Sequence, residues 1–376
     1  MIYSTYGMAT LHETLGDLVV YRNLIPADER LPSVSNLRKR LGLEGTALPR
    51  KAEPTYGRVV AEMLHQARAL DLPGTKLQRI VYIGDTQMND GTAFRNLCAA
   101  GEWPGWAFIG RDDVQHRPQV EMEGSLYNAN RWAALPEFVQ FLIEEGFGLD
   151  EGTAVVIDVD KTMLGPRGRN DKVIDEARVE GVQRTVADLL GPGFDEAAFR
   201  TAYDELNKQV YHPFTADNQD YLAYICLMLG AGLYDTNSLV QQVQAGAMDR
   251  FATFIAEVQD RRAELAGSGL DQVHDDVWRC VQAGDPTPFK AFRYNEYLTT
   301  TARFGDLPGA VIQKVLTGRI TINQEVREAA AALAQRGALI FGVSDKPDEA
   351  SLPNPEQANA GMKPLHRLET VAVGVA

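Results

Sequence analysis

Cysteine is scarce in this chain: Cys98, Cys226 and Cys280 are far apart and odd in number. That excludes a disulfide framework and a CxxC metal pair, and it fits a reducing, cytoplasmic compartment. Positive charge is short as well. The 37 Lys and Arg face 51 Asp and Glu, a formal net charge of −14, and no basic cluster appears. An extended nucleic-acid surface is therefore not expected, because it needs clustered Lys and Arg to displace counterions. A negative surface also repels anions at long range, so any phosphate site must carry its own local positive charge or metal. The most apolar segment, residues 221–234, is shorter than the ~20 residues that cross a bilayer and reads as a buried helix. The first residues lack a basic stretch followed by an apolar run, so neither a secretion signal nor membrane attachment is expected. HxxxH spacing is missing too, and His274, Asp275 and Asp276 on a helical stretch read as a solvated face. No solenoid-length repeat or low-complexity tract is present.

What is there is a globular composition, 45% apolar and 23% charged, in 376 residues, a length that suits two domains. Five short apolar runs end in glycine or a polar group: IVYIG to Gly84, WAFIG to Gly110, AVVIDV from Ala154, ALIFGV from Ala338 and TVAVGV from Thr370. Runs apolar on both faces read as buried parallel strands. Helical patterns lie between them, at residues 56–70, from Phe94 through Cys98, and at 327–336. The alternation predicts an α/β fold with a doubly wound parallel sheet. Between Gly165 and about Val315 the strand signal disappears, and Phe199, Tyr203, Leu206 and Val210 recur at helical spacing. This predicts a core in two parts, residues 1–164 and 316–376, with an all-helical domain inserted over 165–315. The aromatic run 103–108 reads as core packing, and Tyr211, His212 and Phe214 cannot be told from packing.

In an open parallel sheet, ligands sit beyond the carboxyl ends of the strands, so chemistry is sought just after each apolar run. After AVVI come Asp158, Asp160, Lys161 and Thr162; after ALIFGV come Ser344, Asp345 and Lys346; after IVYIG come Asp85, Asn89 and Asp90. Carboxylates crowded at one rim repel unless a cation joins them. Mg²⁺ suits such a set, since it takes hard oxygen ligands and accepts one or two carboxylates plus a substrate phosphate.

These residues carry a resemblance. VVIDVDKTMLG resembles motif one of the haloacid-dehalogenase-like hydrolases, IFGVSDKP resembles motif two, and YIGDTQMNDG resembles motif four. Lys51 in RKAEPTYGRVVAEML looks like the lysine of motif three, with Lys76 and Lys363 as competitors. The resemblance implies that Asp158 is a nucleophile forming an aspartyl-phosphate and that Asp160 is the acid and then base. Thr162 would support the bend at Asp160, and Ser344 and Lys51 would bind the phosphoryl group. It further implies Mg²⁺ held by Asp158, by the backbone carbonyl of Asp160 and by Asp85, with Asp90 holding the metal's waters. The helical lobe resembles the caps of the family's small-molecule phosphatases. A small phosphorylated metabolite is thus the implied substrate, with a phosphomutase or phosphotransferase, or a non-catalytic binding protein, as alternatives.

The order departs from the family, because motifs three and four precede motif one. A circular permutation accounts for it: TVAVGV would be followed in an unpermuted chain by the Lys51 region, and residues 111–153, with a helix at 135–145, would bridge the old ends. New termini are tolerated where backbone is exposed and the original ends lie close. Two tandem domains would leave the first without a nucleophile, since no strand ending in DxD precedes Asp85. A domain-swapped dimer stays open, and so does the oligomeric state.

Overall fold

The computed structural model describes residues 2–376. Ten strands occur in chain order: β1 Tyr3–Ala9, β2 Val19–Val20, β3 Arg79–Gly84, β4 Gly105–Gly110, β5 Val120–Glu123, β6 Leu126–Ala129, β7 Thr153–Asp158, β8 Ile322–Asn323, β9 Leu339–Val343 and β10 Thr370–Val375. Seven form one sheet in the order β2-β9-β7-β3-β4-β6-β5. All pairings in it are parallel except the β5–β6 hairpin at one edge.

Alternate residues of the central strands feed two apolar cores, as the period of two in a strand requires. Val81, Ile83, Val155, Ile157 and Ile340 pack on one face, with helices Leu135–Glu144 and Gln324–Gln335. Ile80, Tyr82, Ala154, Val156 and Phe341 pack on the other, with helices Pro54–Asp71 and Asp90–Gly101. Helices on both faces of a mostly parallel sheet make this a Rossmann-like α/β fold. Segment 111–153 runs from β4 through the β5–β6 hairpin and helix Leu135–Glu144 into β7.

One expected strand is elsewhere. TVAVGV is not in the main sheet; β10 pairs antiparallel with β1 and parallel with β8 in a separate three-stranded sheet. The place beside β9 is taken by Val19 and Val20, a strand too short to leave a periodic signal. Burial of Val371, Ala372 and Val373 makes β10 apolar on both faces, so its composition matches that of a central strand.

The chain forms two compact units, one of Met1–Glu176 with Thr300–Ala376 and one of Ala177–Thr299. The second begins and ends inside the span 165–315. Residues just outside it are tied into the first unit: Arg169 bonds Asp112 and Glu325, and Asn170 bonds the Leu316 carbonyl and the Thr321 amide. The unit Ala177–Thr299 is helical, with a core that includes Tyr224, Ile225, Phe251 and Phe254. Asp195 and Asp235 cap helices Glu196–Leu206 and Thr236–Gln244 by accepting from backbone N–H groups of their first turns. Gly246, at φ +75°, interrupts the helical stretch 237–265.

His274 corrects an expectation. Only the carboxylates of that cluster face solvent; His274 is buried, bonded to Tyr224 Oη and Gln259 Oε1, because the apolar stripe of Leu270–Gln282 includes its position. Among the described residues, no helix is long and apolar enough to cross a membrane.

Candidate active site

Strand register brings the expected residues to one rim. Asp158 ends β7 opposite Val343 of β9, so Ser344 stands one step further out. On the other side Ile83 pairs with Ile157, which places Gly84 level with Asp158 and Asp85 one step beyond. After Asp158 the chain turns sharply. The Val159 carbonyl accepts from the amides of Met163 and Leu164, and Lys161 adopts φ +65°.

Three carboxylates meet there. One oxygen from each of Asp85, Asp90 and Asp158 lies within 4.8 Å of the others, and all three residues are buried. Lys51 enters this group from the turn before helix Pro54–Asp71. Its buried Nζ donates to Asp158 Oδ1 at 2.6 Å and Asp90 Oδ1 at 2.8 Å. Asn96 Nδ2 holds the Lys51 carbonyl at 3.0 Å from helix Asp90–Gly101. That helix approaches helix Pro54–Asp71 so closely that a Cβ on Gly57 would stand 2.4 Å from the Asn96 carbonyl oxygen. Lys76 and Lys363 are exposed.

Asp90 is filled by protein donors. Its Oδ1 accepts from Lys51 and from Tyr82 Oη at 3.1 Å, and its Oδ2 accepts from the amides of Asp85 and Thr86 and from Thr86 Oγ1. Five donors exhaust a carboxylate's roughly four lone-pair directions. Asp90 thus shapes the loop that carries Asp85 and anchors Lys51, and it is one of the three carboxylates grouped closely enough to hold a metal ion.

The electrostatics follow from burial and imbalance. Three carboxylates face two cations, Lys51 and Arg167, whose Nε donates to Asp85 Oδ2. With all three ionised, the carboxylates outnumber these two cations by one. Burial works against the charge on Lys51, yet Asp158 and Asp90 hold its pKa well above the usual lysine value. Burial opposes ionisation of Asp90 too, but the Lys51 charge and hydrogen bond bring it down to about 2. Burial and the Asp90 charge push Asp85 up to about 7, against the pull of Arg167. Burial also pushes Asp158 up, with Lys51 opposing and Asp90 and Asp85 adding to it.

The remaining expected residues lie on the β9 side. Asp160 is half-buried and lines a narrow pocket with Tyr21, Ser344 and Lys346. Its carboxylate is not part of the Asp85–Asp90–Asp158 group. Ser344 is buried, and its Oγ accepts from the Lys346 amide at 3.0 Å. Thr162 is fully buried with its hydroxyl unpartnered, so it supports the bend after Asp158 through its backbone, whose carbonyl accepts from Asn323 Nδ2 at 3.1 Å.

Several participants were not legible in the sequence. Arg167 is one of four charged residues in a turn-rich stretch, GPRGRNDK, and nothing in the spacing tied it to Asp85. Tyr82 reads as a strand residue, although its hydroxyl reaches Asp90. Tyr56 reads as a helix-core residue, yet its buried hydroxyl has no partner and lies in the field of Lys51, Asp345 and Asp158. A pocket of about 950 Å³ opens beside Asp85 and Arg167, lined also by Arg111, His116, Glu121 and Asn128. Its wall is the β5–β6 hairpin and the end of β4.

Compared with known proteins, the chain matches no protein-family model, no curated protein and no solved structure. Fold and site geometry therefore carry the functional argument.

Proposed function

We propose that this chain is a Mg²⁺-dependent phosphatase of the haloacid-dehalogenase-like type, with its motifs in circularly permuted order, acting on a small phosphate monoester. The observation that carries the reading is the meeting of Lys51, Asp85 and Asp158 at the ends of adjacent strands, with Ser344 one strand further on. Lys51 and Asp158, which bond, are 107 residues apart in sequence. A buried group whose ionised carboxylates outnumber its cations is costly without a further cation. Its all-oxygen donors match Mg²⁺, with Asp85 and Asp158 as the carboxylates that hold it. When bound, Mg²⁺ supplies positive charge that offsets the charge on the transferring phosphoryl group.

The chain's own residues do the rest. The Asp158 carboxylate attacks phosphorus in line, the bond from phosphorus to the leaving oxygen breaks, and Asp160 gives that oxygen a proton. Asp160 then takes a proton from water, whose oxygen displaces phosphate from Asp158. Lys51 holds Asp158 in its attacking orientation and, with Ser344, receives the phosphoryl oxygens. The helical unit Ala177–Thr299 occurs at the point in the chain where the family inserts a cap.

The test is a screen of phosphorylated small molecules with Mg²⁺, scored by released inorganic phosphate and run beside Asp158→Asn. Turnover by the wild type that falls to background in the variant, with the circular dichroism spectrum preserved, is the expected result. Near-normal turnover by Asp158→Asn, or no hydrolysis of any ester, including a generic aryl phosphate, rejects the reading.

A further inference from the structure

A second group of metal-ligating side chains lies in the first unit and shares no residue with the acidic group. The antiparallel pairing of β1 with β10 sets Ala9 opposite Thr370, so the chain just after β1 meets the chain just before β10. His12 opens the short helix His12–Leu15, Asp17 follows it, and His366 lies in the turn Leu365–Arg367. We propose that His12, Asp17 and His366 bind a borderline divalent cation of the Zn²⁺ class.

Spacing is the first argument. His366 Nε2 lies 3.1 Å from Asp17 Oδ1, and His12 Nδ1 lies 3.5 Å from the same oxygen. All three ligand atoms are within 4.8 Å of one another. A tetrahedral Zn²⁺ with bonds of about 2.0–2.2 Å spaces its ligand atoms about 3.3 Å apart. The two distances to Asp17 bracket that value, and the ion would compete for Asp17 Oδ1 with Arg367, whose Nε and Nη2 donate to it.

The outer partners are also in place. A metal-bound imidazole commonly has its other nitrogen hydrogen-bonded, which fixes the ring. His366 Nδ1 lies 3.2 Å from Tyr21 Oη. A neutral ring carries one proton: on Nε2 it donates to Asp17, and on Nδ1 it donates to Tyr21 and frees Nε2 for the ion. The tyrosine hydroxyl serves either tautomer, since it can donate or accept. Arg367 anchors Asp17, donating to both carboxylate oxygens through Nη2.

The ligand set selects the ion. Two imidazoles and one carboxylate suit Zn²⁺ and its neighbours and are poor for Mg²⁺, which prefers oxygen. A pocket of about 640 Å³, which Thr10 and Lys363 also line, leaves the remaining coordination position open to water or an anion.

The experiment uses the full, untagged chain, freed of metal by a chelator and then saturated with Mg²⁺ to occupy any oxygen site. Zn²⁺ is titrated in by calorimetry, and Co²⁺ is followed by its visible absorption. One equivalent of Zn²⁺ is expected in the wild type, retained in Asp158→Asn and lost in His12→Ala, a change on an exposed residue that spares the core. Co²⁺ should give tetrahedral-type bands that vanish in His12→Ala. Absence of a stoichiometric step in the wild type, or a step unchanged in His12→Ala, overturns the proposal. Retention in Asp158→Asn keeps this outcome independent of whether the phosphatase reading holds.

Discussion

Gly84 and Asp90 are in such close contact that a Cβ on Gly84 would stand 2.5 Å from the Cβ of Asp90 and 2.9 Å from its Oδ2. The last residue of β3 thus has no side chain because the carboxylate that shapes the following loop occupies that space. Gly84→Ala must displace Asp90, and with it the amides of Asp85 and Thr86 that Asp90 accepts from. Overpacking of this kind costs about 1–3 kcal/mol. Urea denaturation should show that loss, and Mg²⁺ titration should show weakened binding. Wild-type values in both would remove Asp90 from the role assigned to it.

Lys51 is the only cation bonded to both Asp90 and Asp158 among the described residues. Lys51→Met leaves two buried carboxylates without it, and breaking a buried pair costs about 3–5 kcal/mol. Thermal and urea unfolding at pH 7.5 without divalent ions would measure this. A loss under about 1 kcal/mol would place Lys51 among ordinary surface-type pairs.

The pKa of Asp85, raised to about 7, sets a pH signature. Between the usual carboxylate pKa, about 4, and about 7, the folded state binds more protons at this residue than the unfolded state does. Its contribution therefore makes the metal-free protein less stable as pH rises through that window. Asp90, lowered to about 2, acts in a different range: its stabilisation is present above about 4 and lost as pH falls towards 2. Melting temperature against pH, wild type minus Asp85→Asn, should show the fall between about 4 and 7. Adding Mg²⁺ above pH 7 should reverse it, and a flat difference curve would refute the assignment.

Tyr56 offers a cleaner separation of binding from stability. Its hydroxyl is buried and unpartnered, so Tyr56→Phe removes no hydrogen bond and should leave stability within about 0.5 kcal/mol or improve it. If an incoming phosphate oxygen or ordered water takes that donor, the same variant should bind inorganic phosphate more weakly. Calorimetric titration with phosphate and Mg²⁺ measures this, and equal affinity in both proteins would leave the hydroxyl without a ligand role.

The sequence was readable where burial is local and periodic. Four of the five apolar runs are strands of the main sheet, since a strand covered on both faces must be apolar throughout. The fifth, β10, is equally apolar but pairs elsewhere, because composition reports burial and not the identity of the neighbour. Val19–Val20 was invisible for the opposite reason, being too short to show a period. His274 was misread because a polar residue bonded inside a core leaves the same letters as one on a solvated face.

By itself the sequence determined which segments become buried strands and which polar residues follow them, because both depend on apolar pattern over a few adjacent positions. It therefore places Asp85, Asp158 and Ser344 at strand ends. Only the tertiary structure decided that Lys51 bridges Asp90 and Asp158, that Arg167 pairs with Asp85, and that His12, Asp17 and His366 converge. Those contacts join residues tens to hundreds of positions apart, and their energies depend on distance and shared desolvation, which no local pattern records.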